Sequence, residues 1–125
     1  MKGYVGKIEE LTLANENFRQ VVFTGKHSQL VLMNLKPGEE IGSETHPDVD
    51  QFFRFEAGEG KVVIDGGEYG VSDGMAVVVP AGAEHNVVNV SESEELKLYT
   101  IYSPPNHPEG TVHKTKAEAE RAEEA

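Results

Sequence analysis

Cysteine is missing from this chain altogether, and basic residues are scarce: 11 Lys and Arg stand against 22 Asp and Glu, for a formal net charge of -11. Without thiols there is neither a disulfide nor a thiolate metal site, so any metal must be held by nitrogen and oxygen. An acidic surface with no basic stripe repels phosphates, which argues against nucleic acid as a partner. Much of the acid sits in residues 39–50, 92–95 and the C-terminal tail, where solubility is the ordinary reason for it. Long apolar runs are absent too. None approaches the ~20 residues that cross a bilayer, and the opening M-K-G-Y-V-G-K-I-E-E has no apolar centre like that of a signal peptide. A soluble, cytoplasmic chain with no membrane partner is therefore expected. At 125 residues there is material for one core and not comfortably for two. The expected organisation is one domain over residues 1–113 and a polar tail over 114–125.

What is present is a series of short strand-like runs. Phe18–Thr24, Gln29–Leu35, Gln51–Phe55, Lys61–Asp65, Met75–Val79, Asn86–Val90 and Leu96–Tyr102 are rich in β-branched, aromatic and other apolar residues. Gly, Pro and Asp turns separate them, among them Lys36-Pro37-Gly38, Asp65-Gly66-Gly67 and Pro80-Ala81-Gly82. Such punctuation predicts an all-β sandwich or barrel. The run from Gln29 to Leu35 is apolar on both faces, as in a strand buried on both sides. One outer sheet face then needs a cover, and a partner subunit is the expected one. In the tail, Thr115 and Glu118 form a capping-box pattern without an apolar stripe behind it, which predicts a short, solvated helix or a disordered end.

Chemistry concentrates in two blocks. In the first, Glu44 and His46 lie two residues apart, so a strand points both to one face. A turn over residues 47–50 leads to Gln51, which opens the aromatic run Phe52, Phe53, Phe55. The second block is a β-branched run ending at Pro80, with a turn at Gly82 before His85. Glu44, His46, Gln51 and His85 are thus placed where four side chains could converge on one metal ion. These blocks resemble the two motifs of the cupin superfamily. The first match runs from Gly38 through Glu44, His46 and Gln51 to Gly58; the second takes in Gly74, Pro80, Gly82, His85 and Asn89 at every position of its pattern.

Two departures fall at the metal positions: Glu44 where most of the family has His, and Gln51 where it has Glu. The carboxylate is relocated rather than lost, and net ligand charge is unchanged. An amide oxygen is a weaker and harder ligand than imidazole, which shifts preference toward harder divalent ions. Asp50 is the alternative to Gln51 as third ligand. The resemblance implies a jelly-roll barrel of the double-stranded β-helix kind, a homodimer, and a divalent ion (Mn, Fe, Ni or Zn). It also implies action on a small oxygenated metabolite, a sugar or a hydroxy or keto acid, by Lewis-acid chemistry such as isomerisation. A non-catalytic metabolite-binding or structural barrel is the alternative, and an iron-dependent oxygenase using Glu44, His46 and His85 is a further one.

Other residues are candidates for the surroundings of such a site. Tyr102 and Glu84 are the visible candidates for proton transfer, Glu84 also as a carboxylate that orients His85. Phe53, Phe55 and Met33 could line a substrate cavity, although core packing is their ordinary use. Arg54 alternates with Phe53 and Phe55 and is expected to face away from the site. His27 reads as a turn histidine. His107 and His113 flank a Pro-rich segment that could fold back as a lid over the barrel mouth.

Overall fold

The structure, a computed structural model, describes residues 1–124. Its elements run α1 (Ile8–Ala14), β1 (Arg19–Thr24), β2 (Gln29–Leu35), β3 (Glu44–Thr45), β4 (Asp50–Ala57), β5 (Glu59–Ile64), β6 (Gly67–Ser72), β7 (Ala76–Val79), β8 (Glu84–Asn89), β9 (Leu96–Ser103), β10 (Val112–His113) and α2 (Lys116–Glu124). The strands form two sheets in antiparallel pairing, one in the order β10-β1-β2-β9-β4-β7 and one in the order β3-β8-β5-β6. This is the expected jelly roll.

Period-two alternation decides which side chains meet between the sheets. On β4 it turns Gln51, Phe53 and Phe55 inward and Phe52 and Arg54 outward. On β9 it buries Leu96, Leu98, Thr100 and Tyr102, and on β8 His85, Val87 and Asn89. The resulting core holds Met33, Leu35, Phe53, Phe55, Leu96 and Leu98 at its centre. Each such aliphatic or aromatic side chain contributes about 1.5–3 kcal/mol on burial. Two of the motif glycines have backbone reasons. Gly58 sits at φ +94, and a Cβ there would stand 2.4 Å from the Glu95 carbonyl oxygen. Gly82, at φ +90, turns the chain into β8 and donates its N–H to the His46 carbonyl at 2.9 Å.

The seven strand-like runs are all strands, with ends shifted by a residue or two. Five elements lie outside them: α1, β3, β6, β10 and α2. Strand β6 carries Gly67 and Gly70 and buries Val71 alone, so it has no alternation to read. It forms because the two-residue turn Asp65-Gly66, both with positive φ, closes a hairpin on β5. Strands β3 and β10 are two residues each, too short for any period.

Helix α1 corrects the argument for a partner-covered sheet. It lies against β2, β4 and β9, over the outer face where Leu32 and Asn34 are buried. Asn34 donates to the Asn15 carbonyl at 3.0 Å, and Lys97 bonds the Leu13 carbonyl. The apolar outer face of β2 is thus covered from within the chain. In α2, half of the capping box forms: Glu118 N–H donates to Thr115 Oγ1 at 3.1 Å, while Glu118 Oε2 accepts from Lys114 N–H, one residue before the cap, at 2.6 Å. The tail is more than a solvated helix, because Ala119 is 3% exposed and joins the core. Among the described residues no helix is long and apolar enough to cross a membrane.

Candidate metal centre and its polar surroundings

At one end of the barrel the two sheets face each other with polar rows. Across the first, Gln29, Tyr102 and Gln51 stand side by side on β2, β9 and β4. Across the second, Glu44, His85 and Ile64 align on β3, β8 and β5, and His46 follows β3 directly. The four proposed ligands, drawn from two sequence blocks, are therefore brought together.

They stand in two pairs. Glu44 Oε2 is 3.2 Å from His46 Nε2, and Gln51 Oε1 is 3.1 Å from His85 Nε2; the two imidazole rings are 5.3 Å apart between centroids. Two donors about 2.1 Å from a shared ion, at roughly 90–110° to one another, stand about 3.0–3.4 Å apart. Both pairs have that spacing. The described residues do not, however, hold three His, Asp or Glu side chains already gathered round one point, so collecting all four donors needs small side-chain movements.

Hydrogen bonding tests the fit independently. The Gln51 amide is oriented by Thr100: the Thr100 hydroxyl donates to the Phe52 carbonyl at 2.8 Å and so accepts from Gln51 Nε2 at 3.0 Å, leaving Gln51 Oε1 toward His85. On the other side of that ring, His85 Nδ1 lies 3.0 Å from the Ala83 carbonyl. Both neighbours of the ring are acceptors. A neutral imidazole donates to one only, so a second proton or a cation between His85 Nε2 and Gln51 Oε1 must resolve the other contact. His46 Nε2, despite its distance to Glu44, is buried without a properly directed hydrogen bond. Gln51 Oε1 and His85 Nε2 face each other, and His46 Nε2 is left as the ring nitrogen without a partner. By their chemistry, one carboxylate, two imidazoles and an amide oxygen suit a divalent ion.

Electrostatics agrees. Burial pushes the Glu44 carboxyl up, but the close approach of His46 and the charges of His46, Arg19 and His85 outweigh that and hold it below the usual carboxylate range. It is ionised at neutral pH. Burial pushes the Tyr102 hydroxyl up to about 12, against the charge of Arg19. Tyr102 is therefore a hydrogen-bond donor in this site and a poor source of protons.

Several sequence expectations are corrected by placement. Glu84 points outward and is exposed; the Ala83 carbonyl, not Glu84, orients His85, because strand alternation puts neighbours on opposite faces. Phe55 and Met33 are fully buried below the site and cannot touch a substrate. Phe53, equally buried, meets the edge of His85 with centroids 6.3 Å apart and fixes that ring from beneath. Asp50 is exposed and accepts from Ala81 N–H at 2.8 Å, which removes it as the alternative to Gln51. Arg54 faces outward beside Glu56, 2.9 Å away, and His27 sits in an exposed turn.

The Pro-rich segment does fold over the mouth. His107 Nε2 is 3.2 Å from the Tyr102 hydroxyl. Gln29 fastens the segment, accepting from the backbone N–H groups of Asn106 and His107 and donating to the His107 carbonyl at 2.7 Å. His113 lies on β10, with Nδ1 3.3 Å from Arg19 Nη1. Sequence reasoning missed both Gln29 and Arg19. The available signal was the alternation Arg19, Val21, Phe23, which sets the charge on the apolar face. A surface depression of about 490 Å³ lies elsewhere, between solvated loops at Gly58, Ser72 and Ser91. It gathers no such convergent donors, so the barrel mouth is the better site.

A family model described as a cupin domain matches residues 31–102, more than half of the chain. The chain is a cupin. The uncharacterized protein YrkC of Bacillus subtilis (strain 168) is 50% identical over 129 aligned positions, which cover 98% of this cupin and 69% of YrkC. The crystal structure of BH2720 from Bacillus halodurans superposes with a TM-score of 0.93 at 44% identity, covering 96% of this cupin and 95% of that chain. A predicted oxalate decarboxylase from Thermotoga maritima aligns with a TM-score of 0.60 at 20% identity, over 64% of this cupin and 69% of that chain. That last likeness is one of fold.

Proposed function

We propose that this cupin is a cytoplasmic, homodimeric metal-binding protein that acts on a small oxygenated metabolite, with Glu44, His46, Gln51 and His85 as the ligands. The observation that carries this reading is the opposition of Gln51 Oε1 and His85 Nε2 at 3.1 Å, beside a buried His46 Nε2 with no directed partner. A divalent ion in that space would polarise a substrate oxygen as a Lewis acid, suited to isomerisation or related proton-shift chemistry. Glu44 supplies the negative charge of the ligand set. Tyr102 offers its hydroxyl as a donor to a bound oxygen, and the Gln29-fastened segment with His107 sheds water from above. Fold similarity alone does not name the reaction.

One observation favours a second reading, a metabolite-binding barrel without catalysis. With Glu84 outside and the Tyr102 hydroxyl at about 12, neither residue picked out from the sequence for proton transfer is suited to it at neutral pH. Elemental analysis separates ligand set from inert polar cluster. Protein purified without chelator or affinity tag is expected to carry about one equivalent of one divalent metal per chain, and the His46→Ala, His85→Ala double variant to carry none. Wild type that stays metal-free after reconstitution with Mn, Fe, Ni and Zn would sink the metal reading.

A further inference from the structure

A guanidinium keeps its charge wherever the fold puts it, and Arg19 is only 2% exposed, on the inward face of β1. Burying such a charge is costly unless an anion compensates it. Compensation from the described residues is thin. No described carboxylate forms an ion pair with Arg19. Nη1 stands 3.3 Å from His113 Nδ1, the guanidinium carbon lies 5.3 Å from the centre of the Phe18 ring, and Nε is buried with no partner at all. Glu44 feels the Arg19 charge without touching it. The neutral Tyr102 hydroxyl lies within hydrogen-bonding reach of the guanidinium, and His107 feels its charge, which sets Arg19 beside the polar end of the barrel without giving it an anion. A fork of N–H donors left incomplete inside a polar pocket matches a planar carboxylate.

We propose that Arg19 binds the carboxylate of the substrate, a small hydroxy or keto acid whose other oxygens face Glu44, His46, Gln51 and His85. The acid is thereby favoured over a neutral sugar. A phosphate ester fits less well: Arg19 is accompanied by no buried Lys or second Arg among the described residues, and the Glu44 carboxylate nearby opposes a second negative charge. The inference rests on the preceding reading for where the substrate's other oxygens go, and on the geometry of Arg19 alone for the carboxylate.

The test uses the full chain stripped of metal with EDTA, so that its outcome is independent of the metal analysis. Thermal unfolding is followed with pyruvate, lactate, glycolate, inorganic phosphate and the uncharged hydroxyacetone as probes, at constant ionic strength. At least one of the three acids is expected to raise Tm in a saturable way, more than phosphate does, with hydroxyacetone inert. In Arg19→Gln the apparent affinity is expected to fall at least tenfold, with partial recovery in Arg19→Lys. Silence of all three acids, an undiminished response in Arg19→Gln, or a stronger response to phosphate would each overturn the proposal. A second measurement covers a structural role. With no ligand added, Arg19→Met is expected to melt no lower than wild type, since it removes an uncompensated charge; a clear drop in Tm would make the guanidinium a part of the scaffold instead.

Discussion

The candidate site is built from residues whose neighbours, more than their identities, decide their roles. His107 illustrates this. Burial, together with the charge of Arg19, pushes its imidazole down to about 4 from an ordinary 6.5. The unfolded chain therefore takes up a proton near pH 6.5 that the folded chain refuses until about pH 4. Stability from this group is fully present above pH 6.5 and is lost as pH falls toward 4, by no more than about 3 kcal/mol. Urea denaturation at pH 7 and pH 4.5 is expected to show a smaller loss in His107→Gln than in wild type. Equal losses would mean that His107 is not held neutral by its place under the segment it belongs to. Tyr102 gains its donor role in the same way, from burial.

At the scale of elements, the end of β8 is tied down by one side chain. Asn89 is 1% exposed; its Nδ2 donates to the carbonyls of Leu35, Lys36 and Glu94, and its Oδ1 accepts from Ser91 N–H. It joins β8, the end of β2 and the loop into β9, which explains the Asn that closes the second motif without any part in chemistry. Asn89→Ala leaves buried carbonyls without a donor and is expected to cost about 2–3 kcal/mol, read as a lower urea midpoint with unchanged slope. A cost within 0.5 kcal/mol, the usual scatter of a surface substitution, would contradict this account. Helix α1 acts at the same scale: by covering the outer face of β2, it removes the reason to place a partner there.

For the whole molecule, the proposed homodimer must then use another surface. Strands β6 and β7 are outer strands of the two sheets; they carry the exposed apolar side chains Tyr69 and Val78, and Met75 is exposed in the turn that joins them. Sedimentation equilibrium is expected to give a dimer for wild type and a monomer for the Met75→Glu, Val78→Glu double variant. A wild-type monomer at 100 μM, or about that concentration, would remove the dimer. How much of this molecule was legible beforehand depends on the range of the signal. Strands with clear alternation, such as β4 and β9, and turns that need Gly or Pro were readable, because local backbone preference and period two act over a few residues. The motif spacing likewise marked Glu44, His46, Gln51 and His85. Helix α1, strands β3 and β10, and the partners of Arg19 and Gln29 were not, because nothing within ten residues of them specifies what they pack against. By itself the sequence determined an all-β chain with the two cupin motif blocks and an acidic surface. Only the tertiary structure decided that Glu84 turns away, that His107 closes over Tyr102 and that a lone guanidinium is buried beside the site, since each depends on which strands become neighbours.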